Sequence, residues 1–505
     1  MMTAIDYVLD RVTMYRLVLY ILTAMVAVAT ILAYFKLLSF SPLALLASTA
    51  FLILMCWAMN TIFAYIFKIP TNIESATITA LILALIIDPA YSPVMFQFLG
   101  WAAMLAMASK YILAINKKHL FNPAAIAVVI TSFVLRESAS WWIGTASMLP
   151  IVLLGGLLIV RKIRQEDMMW SFFAAVLVSI CVFSIVQRQD ILAEVKQLFL
   201  QSPLFFFAFI MLTEPLTAPP TKNLRRLYGL LTGVLFLPQL HIGTIYATPE
   251  LALVVGNVFS YIVSPKQKVV LKLKRKSRVA SNIVDFVFKP SQKLAFQPGQ
   301  YMEFTLAHPQ TDSRGNRRYF TLASSPTEND ILLGIRFYER SSSFKKALYK
   351  VNNRTQLIAA QIGGDFTLPA NPEQKLVFLA GGIGITPFRS MVKYLLDTQE
   401  RRDIILIYVN KTADEIVYTD VFNAAAKLGI KTCYTLTDAT ALPRNWQGFV
   451  GRIDEPMLLK TVPDYQERTY YISGPPEMVK ASTRVLKVMG VPNTQIKKDF
   501  FPGLV

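Results

Sequence analysis

The sequence predicts two architectures in one chain: a polytopic α-helical membrane domain of about ten helices in inverted repeats, then an antiparallel β-barrel joined to a doubly wound α/β domain. Three observations carry the prediction. Long apolar runs separated by short polar loops fill residues 1 to about 264. Beyond residue 266 the charged composition of a soluble domain sets in, with the apolar and polar alternation of strands. Further on, an apolar strand runs into a glycine-rich turn over 381–387 and then a helix, the opening of a nucleotide-binding α/β unit. At 505 residues the chain is too long for one domain of roughly 100 to 200 residues. Composition divides it into 1–264, 266–370 and 371–505.

A formal net charge of +19 would suit a nucleic-acid binder. The basic residues, however, lie at the ends of apolar runs, where the positive-inside rule puts them. The expected partner is a lipid bilayer, and no nucleic acid is expected. Cys56, Cys181 and Cys433 stand alone, which excludes an iron–sulfur cluster held by this chain, since such clusters need four closely spaced thiolates. His119, His241 and His308 are too few for a transmembrane pair of hemes. Met1 to Arg16 leads into an apolar run without a small-residue cleavage site, and reads as a signal anchor and first helix.

Apolar runs at 16–35, 41–67, 73–87, 94–115, 123–136, 141–160, 170–187, 199–213, 226–239 and 243–263 are the expected spans, several of them short. An even number of spans separates each basic cluster from the next, so both termini face the cytoplasm. Asp88-Pro-Ala-Tyr-Ser-Pro93 closes the third span and Glu214-Pro-Leu-Thr-Ala-Pro219 the eighth. The acid-Pro-x-x-x-Pro pattern recurs at matching places in two five-helix halves, and because five is odd the second half is inverted. Proline-interrupted segments at matching positions point to a midplane site. Asp88 and Glu214 are either an ion path or wet helix ends.

Ser75-Ala-Thr-Ile-Thr-Ala-Leu-Ile-Leu-Ala-Leu, Lys118-His-Leu-Phe-Asn-Pro-Ala-Ala125 and Met211-Leu-Thr-Glu-Pro-Leu-Thr-Ala-Pro219 resemble the membrane subunits NqrB and RnfD of the sodium-pumping NADH:quinone oxidoreductase and the Rnf complex. Ile143-Gly-Thr-Ala-Ser-Met-Leu-Pro, with Leu154-Gly-Gly156, is similar to their Gly-x-Thr-Ser and the following Gly-Gly helix. The resemblance covers most of residues 70 to 240. It implies electron transport in a bacterial cytoplasmic (inner) membrane, to a quinone, a second flavin or an extracytoplasmic electron-accepting protein. That family carries Ser-Gly-Ala-Thr, whose threonine binds FMN covalently. Here the loop is Arg136-Glu-Ser-Ala-Ser-Trp-Trp142, so no covalent flavin is expected. Trp141 and Trp142 either flank a noncovalent flavin or quinone between the repeats or form an interfacial belt, and the belt is the expectation.

In the second half, Val269-Val-Leu-Lys-Leu-Lys and Ile283-Val-Asp-Phe-Val-Phe-Lys289 alternate as barrel strands do, and Phe296-Gln-Pro298-Gly299-Gln-Tyr301 supplies a turn and a strand. Arg318-Tyr-Phe320-Thr321 follows. Its arginine can pair with a phosphate, its phenylalanine can lie against a flat ring, and its threonine can offer a hydroxyl to the ring edge. Ser342 and Ser343 open a helix whose first amides suit a pyrophosphate, or form an ordinary serine cap. After the strand Lys375 to Ala380, Gly381, Gly382 and Gly384 let a dinucleotide approach the backbone, and Thr386-Pro387 starts the next helix. Ser473-Gly474-Pro475-Pro476-Glu-Met478 closes a later strand, and Phe500 or Phe501 near the end can cover a ring face.

Together these motifs resemble the ferredoxin-NADP reductase superfamily. The resemblance implies FAD held by Pro298, Gly299, Arg318, Phe320, Thr321, Ser342, Ser343 and Phe500. It implies NADH or NADPH at Gly381, Gly382, Gly384, Thr386, Pro387, Gly474, Pro475 and Pro476, with Thr321 and Ser473 at the reacting centre. Ser473 stands where the superfamily has cysteine, which should slow hydride transfer without abolishing it, because hydride passes directly between two rings. The whole reads as a multi-pass, FAD-dependent NAD(P)H oxidoreductase with its reductase domain in the cytoplasm. Electrons pass to a membrane acceptor, and ion transport through Asp88 and Glu214 is an option. The alternative is an inverted-repeat transporter or membrane anchor carrying a regulatory or soluble-acceptor reductase domain.

Overall fold

The computed structural model describes residues 9, 12–67, 73–115, 118–163, 165–263, 269–308, 312, 316–339 and 341–499. These form two compact units, before and after the 264–268 stretch.

The first unit is helical. It runs through α1 (Met14–Tyr34), α2 (Pro42–Ile66), α3 (Ile73–Ile86) and α4 (Pro93–Ile112), then a hairpin of β1 (Ala114–Ile115) and β2 (Lys118–His119), then α5 (Pro123–Val134). It continues through α6 (Leu149–Ile163), α7 (Glu166–Gln187), α8 (Ile191–Gln201), α9 (Leu204–Phe206) with a π-helical turn over Phe207–Met211, and α10 (Lys222–Val234). A second hairpin, β3 (His241–Ile242) and β4 (Ile245–Tyr246), leads to α11 (Pro249–Val263). Ser41, Ser92 and Asn122 each cap a helix that begins on proline, a residue that fits the first turn because it lacks the amide hydrogen left unpaired there.

By length and composition α1, α2 and α7 can each cross a membrane, and α8 with the Leu204–Met211 segment makes a fourth span if that pair, bent by 61°, counts as one. The bend falls at Ser202-Pro203, where proline donates no amide, so the expected 199–213 span is broken. The 141–160 run becomes helical only at Leu149, after a 3-10 turn at Trp142–Gly144. The first residues of the 243–263 run belong to the β3–β4 hairpin. One order of parts occurs twice: an acid-proline loop, a helix, a two-residue-strand hairpin and a proline-started helix, first from Asp88 through α5 and again from Glu214 through α11.

Trp141 and Trp142 correct the expectation of an interfacial belt. They are 6% and 7% exposed. Trp142 Nε1 donates to the carbonyls of Ala84 and Ile87 at 3.0 Å each. Those acceptors sit at the end of α3, where helical carbonyls lack intrahelical partners, so the indole satisfies groups that lipid could not.

The second unit contains two sheets. Six antiparallel strands, β5 (Val269–Ala280), β6 (Ile283–Pro290), β7 (Tyr301–Thr305), β8 (Arg317–Thr321), β9 (Ile331–Arg336) and β10 (Gln356–Gly363), lie in the order β8-β7-β10-β5-β6-β9, with α12 (Ser343–Tyr349) between β9 and β10. The outer strands are drawn together by Ala323 N donating to Leu332 O at 2.9 Å, which closes the barrel around Phe286, Phe288, Phe304 and Leu333.

The other sheet is parallel. Its strands β11 (Leu376–Gly381), β12 (Ile404–Asn410), β13 (Lys431–Leu436), β14 (Phe449–Val450), β15 (Thr469–Ser473) and β16 (Ile496–Lys498) lie in the order β14-β13-β12-β11-β15-β16. Helix α13 (Thr386–Thr398) follows β11. Every residue of β11, β12 and β15 is buried, as expected for central strands covered on both faces. The chain reverses its progress across the sheet between β11 and β15, and the crevice at such a switch point is where open α/β sheets bind ligands.

Candidate functional site

Alternation along β8 places Arg318 and Phe320 on one face. Arg318 Nη2 donates to Asp312 Oδ1 at 3.0 Å, and its guanidinium carbon lies 5.5 Å from the centre of the Phe344 ring. The Phe320 ring packs 5.9 Å from that same ring. Phe344 stands in the first turn of α12, which Ser342 caps by accepting from Lys345 N at 3.3 Å. Ser343 N donates to Asp312 Oδ2 at 3.0 Å, and Ser343 Oγ accepts from Asp312 N at 2.9 Å. Arg318 and Ser343 therefore converge on one carboxylate, with Phe320 packed against Phe344 beside them and Ser342 capping the helix. A guanidinium and a helix-start amide are also the donors that hold a phosphate, so Asp312 acts as a stand-in anion and the set fits a flavin pyrophosphate.

Thr321 is buried at the end of β8, opposite Tyr301. Pro298 and Gly299 are buried as well. Gly299 has φ +96°, and a Cβ there would fall 2.2 Å from Phe366 O and 2.4 Å from Met391 Cε. This turn is thus a close joint between the barrel and α13.

The two glycine motifs meet at the carboxyl ends of β11 and β15. A Cβ on Gly384 would lie 2.5 Å from Ser473 O and 2.6 Å from Gly474 N, and one on Gly474 would lie 3.0 Å from Gly381 Cα. The loops pack backbone to backbone. Pro475 and Pro476 lead from this contact into α14 (Pro476–Val488), whose Met478 sulfur would be 2.2 Å from a Cβ on Gly381. Gly382 has φ +52°, and Thr386 Oγ1 donates to Ile383 O at 3.1 Å, with Pro387 in the first turn of α13. Ser473 is 2% exposed and donates through Oγ to Asp499 Oδ2 at 2.8 Å. Phe500 and Phe501 lie outside the described residues.

Helix α13 ties the two sheets together. Arg389 Nη1 donates to Ala323 O at 2.9 Å, Arg389 Nη2 to Glu328 Oε1 at 3.0 Å, and Ser390 Oγ to Ser324 O at 2.7 Å. Ala323 and Ser324 come directly after the Arg-x-Phe-Thr strand, so the helix begun by the dinucleotide loop also holds the flavin-motif strand. Tyr418 OH donates to Asp285 Oδ1 at 2.6 Å across the same boundary. Burial raises the Asp285 carboxyl above its ordinary value, against the lowering effect of that hydrogen bond. Asp312, Asp499, Glu328 and Arg389 were not legible as site residues, since no motif marks them and only strand order brings them in.

In the first unit Glu214 is half-buried and accepts from Asn122 Nδ2 at 2.9 Å and Thr217 Oγ1 at 3.3 Å. Asn122 N donates to Asn257 Oδ1 at 2.8 Å, and Asn257 Nδ2 donates to Tyr228 OH at 2.9 Å. Asp88 is exposed and makes no hydrogen bond or ion pair among the described residues. The two acids that sequence paired are therefore in unlike surroundings.

Residues 134–268 match the model of the NQR2, RnfD, RnfE family, and residues 378–484 match that of the oxidoreductase NAD-binding domain. The chain is a fusion of these two types. The first match suggests a membrane protein. The reductase half of the fusion is 27% identical over 225 residues to the glycine betaine monooxygenase reductase subunit of Chromohalobacter salexigens, covering 43% of this chain and 59% of that one. It is 28% identical over 242 residues to the flavohemoprotein of Pseudomonas putida, covering 46% and 58%. The fusion thus spans less than two thirds of the length of these curated relatives. Among solved structures, the Amycolatopsis cytochrome P450 reductase GcoB aligns over 47% of this chain and 70% of its own, with 20% identity and a TM-score of 0.42.

Proposed function

We propose that the fusion is a multi-pass membrane flavoenzyme that oxidises NADH or NADPH in the cytoplasm and delivers the electrons to a quinone or second flavin in the membrane. Its three domains would be 1–264, 266–370 and 371–505, with about ten spans in inverted repeats in the first. The observation that carries this reading is the pairing of two sites on one joint. An anion cradle at Arg318 and Ser343 and a dinucleotide crevice at Gly384 and Gly474 are both fastened through α13.

When bound, FAD supplies the exchange between hydride and single-electron chemistry. The protein's own residues bind and orient. Arg318 and the Ser343 amide would hold the pyrophosphate in the place Asp312 takes, and Phe320 would support the ring system. The Gly381, Gly382 and Gly384 loop and the Gly474-Pro475-Pro476 turn would place the nicotinamide, and Thr321 and Ser473 would supply hydroxyls at the reacting centre. Glu214, with Asn122 and Thr217, is the better supported of the two ion-path acids; Asp88 has no such partners among the described residues.

The test is flavin content per full-length chain, by acid extraction and chromatography, followed by NADH-driven reduction of a quinone in proteoliposomes. Two flavins per chain, or one flavin with quinone reduction, supports the reading. One flavin and no transfer to a membrane acceptor would leave the first unit an anchor or transporter.

A further inference from the structure

A buried acid that neither motif includes occupies the first unit. Glu250 is 3% exposed in the first turn of α11, and Trp141 Nε1 donates to its Oε2 at 2.8 Å. No cation forms an ion pair with it among the described residues. Its own backbone amide and the Thr248 hydroxyl also face the carboxyl, but none of these partners carries a charge, and an ionisable group retained in a low-dielectric interior marks an ion or proton route.

Two further irregularities meet this carboxyl. Trp141 has φ +52°, a left-handed backbone that a bulky residue adopts only when its surroundings hold it there. Its amide is fixed by Ile86 O at 2.8 Å, at the end of α3. Its ring lies 6.4 Å from each of the Phe206 and Phe207 rings, at the start of the π-helical turn. Backbone strain and π-helical turns both concentrate at functional sites. The π-helical turn ends at Met211, three residues before Glu214, so one irregular segment touches Trp141 at its start and carries Glu214 just beyond its end.

We propose that Glu250 is a proton-exchanging carboxyl of the first unit, and that Trp141 holds it in place. This rests on the ion-coupled version of the function proposed above. One carboxylate and one hydronium ion give one neutral carboxylic acid and one water molecule, and no electron moves. Trp141 is a positioning residue, whose indole N–H orients the carboxyl while its strained backbone ties the site to the end of α3.

The experiment is infrared difference spectroscopy on the full-length chain in lipid, both as NADH-reduced minus oxidised and as an acid-minus-neutral pH jump. The expected result is a protonated-carboxyl C=O band that moves in D₂O, disappears in Glu250→Gln and persists in Glu214→Gln. Trp141→Phe keeps the ring and removes the N–H donor, and it should displace the band without deleting it. Glu250→Asp should restore a band. The pH-jump arm needs no electron input, so failure of NADH to reduce the chain would count against the flavoenzyme reading alone. A Glu250→Gln pH-jump spectrum identical to wild type, or a wild type without the band, overturns the proposal.

Discussion

Ser473 Oγ donates to Asp499 Oδ2 at 2.8 Å, at the carboxyl end of β15 and beside the backbone contact between Gly384 and Gly474. Serine is a smaller and harder group than the cysteine expected at this position, and its hydroxyl is committed to a carboxylate. Ser473→Ala and Asp499→Asn should each slow the reduction of bound flavin by NADH about 10- to 100-fold, the effect of one hydrogen bond to a charged group of roughly 1.5–3 kcal/mol. Stopped-flow flavin bleaching reads this directly. A loss of about a thousandfold or more would mean that Ser473 does more than position.

Arg318 and Asp312 predict opposite effects on FAD affinity. Arg318→Ala removes a charge-assisted donor and should weaken FAD binding by about tenfold to a hundredfold. Asp312→Ala removes the internal anion that competes for the same donors, and should tighten it. Fluorescence titration of the flavin-free full-length protein measures both. Weaker binding in Asp312→Ala would show that the carboxylate does not occupy the phosphate position.

Gly384→Ala puts a methyl group 2.5 Å from Ser473 O and 2.6 Å from Gly474, both backbone atoms that cannot swing aside. The expected cost is about 1–3 kcal/mol of stability, together with a raised KM for NADH. Thermal unfolding and steady-state kinetics test the pair, and an unchanged KM would place the dinucleotide away from this turn.

The Asp285 carboxyl is raised by burial, so the folded chain binds that proton more tightly than the unfolded chain does. By linkage, its contribution to stability is greatest in acid and declines as pH climbs from the ordinary aspartate value through the raised one. Asp285→Asn should flatten this decline. Unfolding temperatures measured from about pH 4 to about pH 7 give the comparison, and parallel slopes for the two proteins would rule the assignment out.

Much of the reductase half was legible because its signals are local. Gly-Gly-x-Gly-x-Thr-Pro after an apolar strand, and Arg-x-Phe-Thr before a serine-capped helix, each state a backbone requirement and a donor set. The order of the doubly wound sheet brings Gly384 to Gly474, but joining them to the Arg-x-Phe-Thr strand takes the α13 bonds to Ala323 and Ser324. Asp312 and Asp499 could not be read, since each matters through a partner distant in sequence or in the sheet. The first unit was harder. Hydropathy marked Trp141 and Trp142 as interfacial, but indoles satisfy buried carbonyls and a buried carboxyl as readily as they sit at a headgroup boundary. Pro203 inside the 199–213 run signalled the break that the structure has, and apolar length alone concealed it.

The first unit carries the order of loop, helix, hairpin and proline-started helix twice, and the two stretches differ in their acids. Asp88 lies at an exposed end and makes no hydrogen bond among the described residues, whereas Glu214 accepts from Asn122, the cap of α5 in the other stretch. Where α5 begins Asn122-Pro123, α11 begins Thr248-Pro249 and then adds the acid Glu250. The same order of backbone parts thus carries an exposed acid in one place and a hydrogen-bonded one in the other, so each stretch serves as a reference for substitutions made in its counterpart.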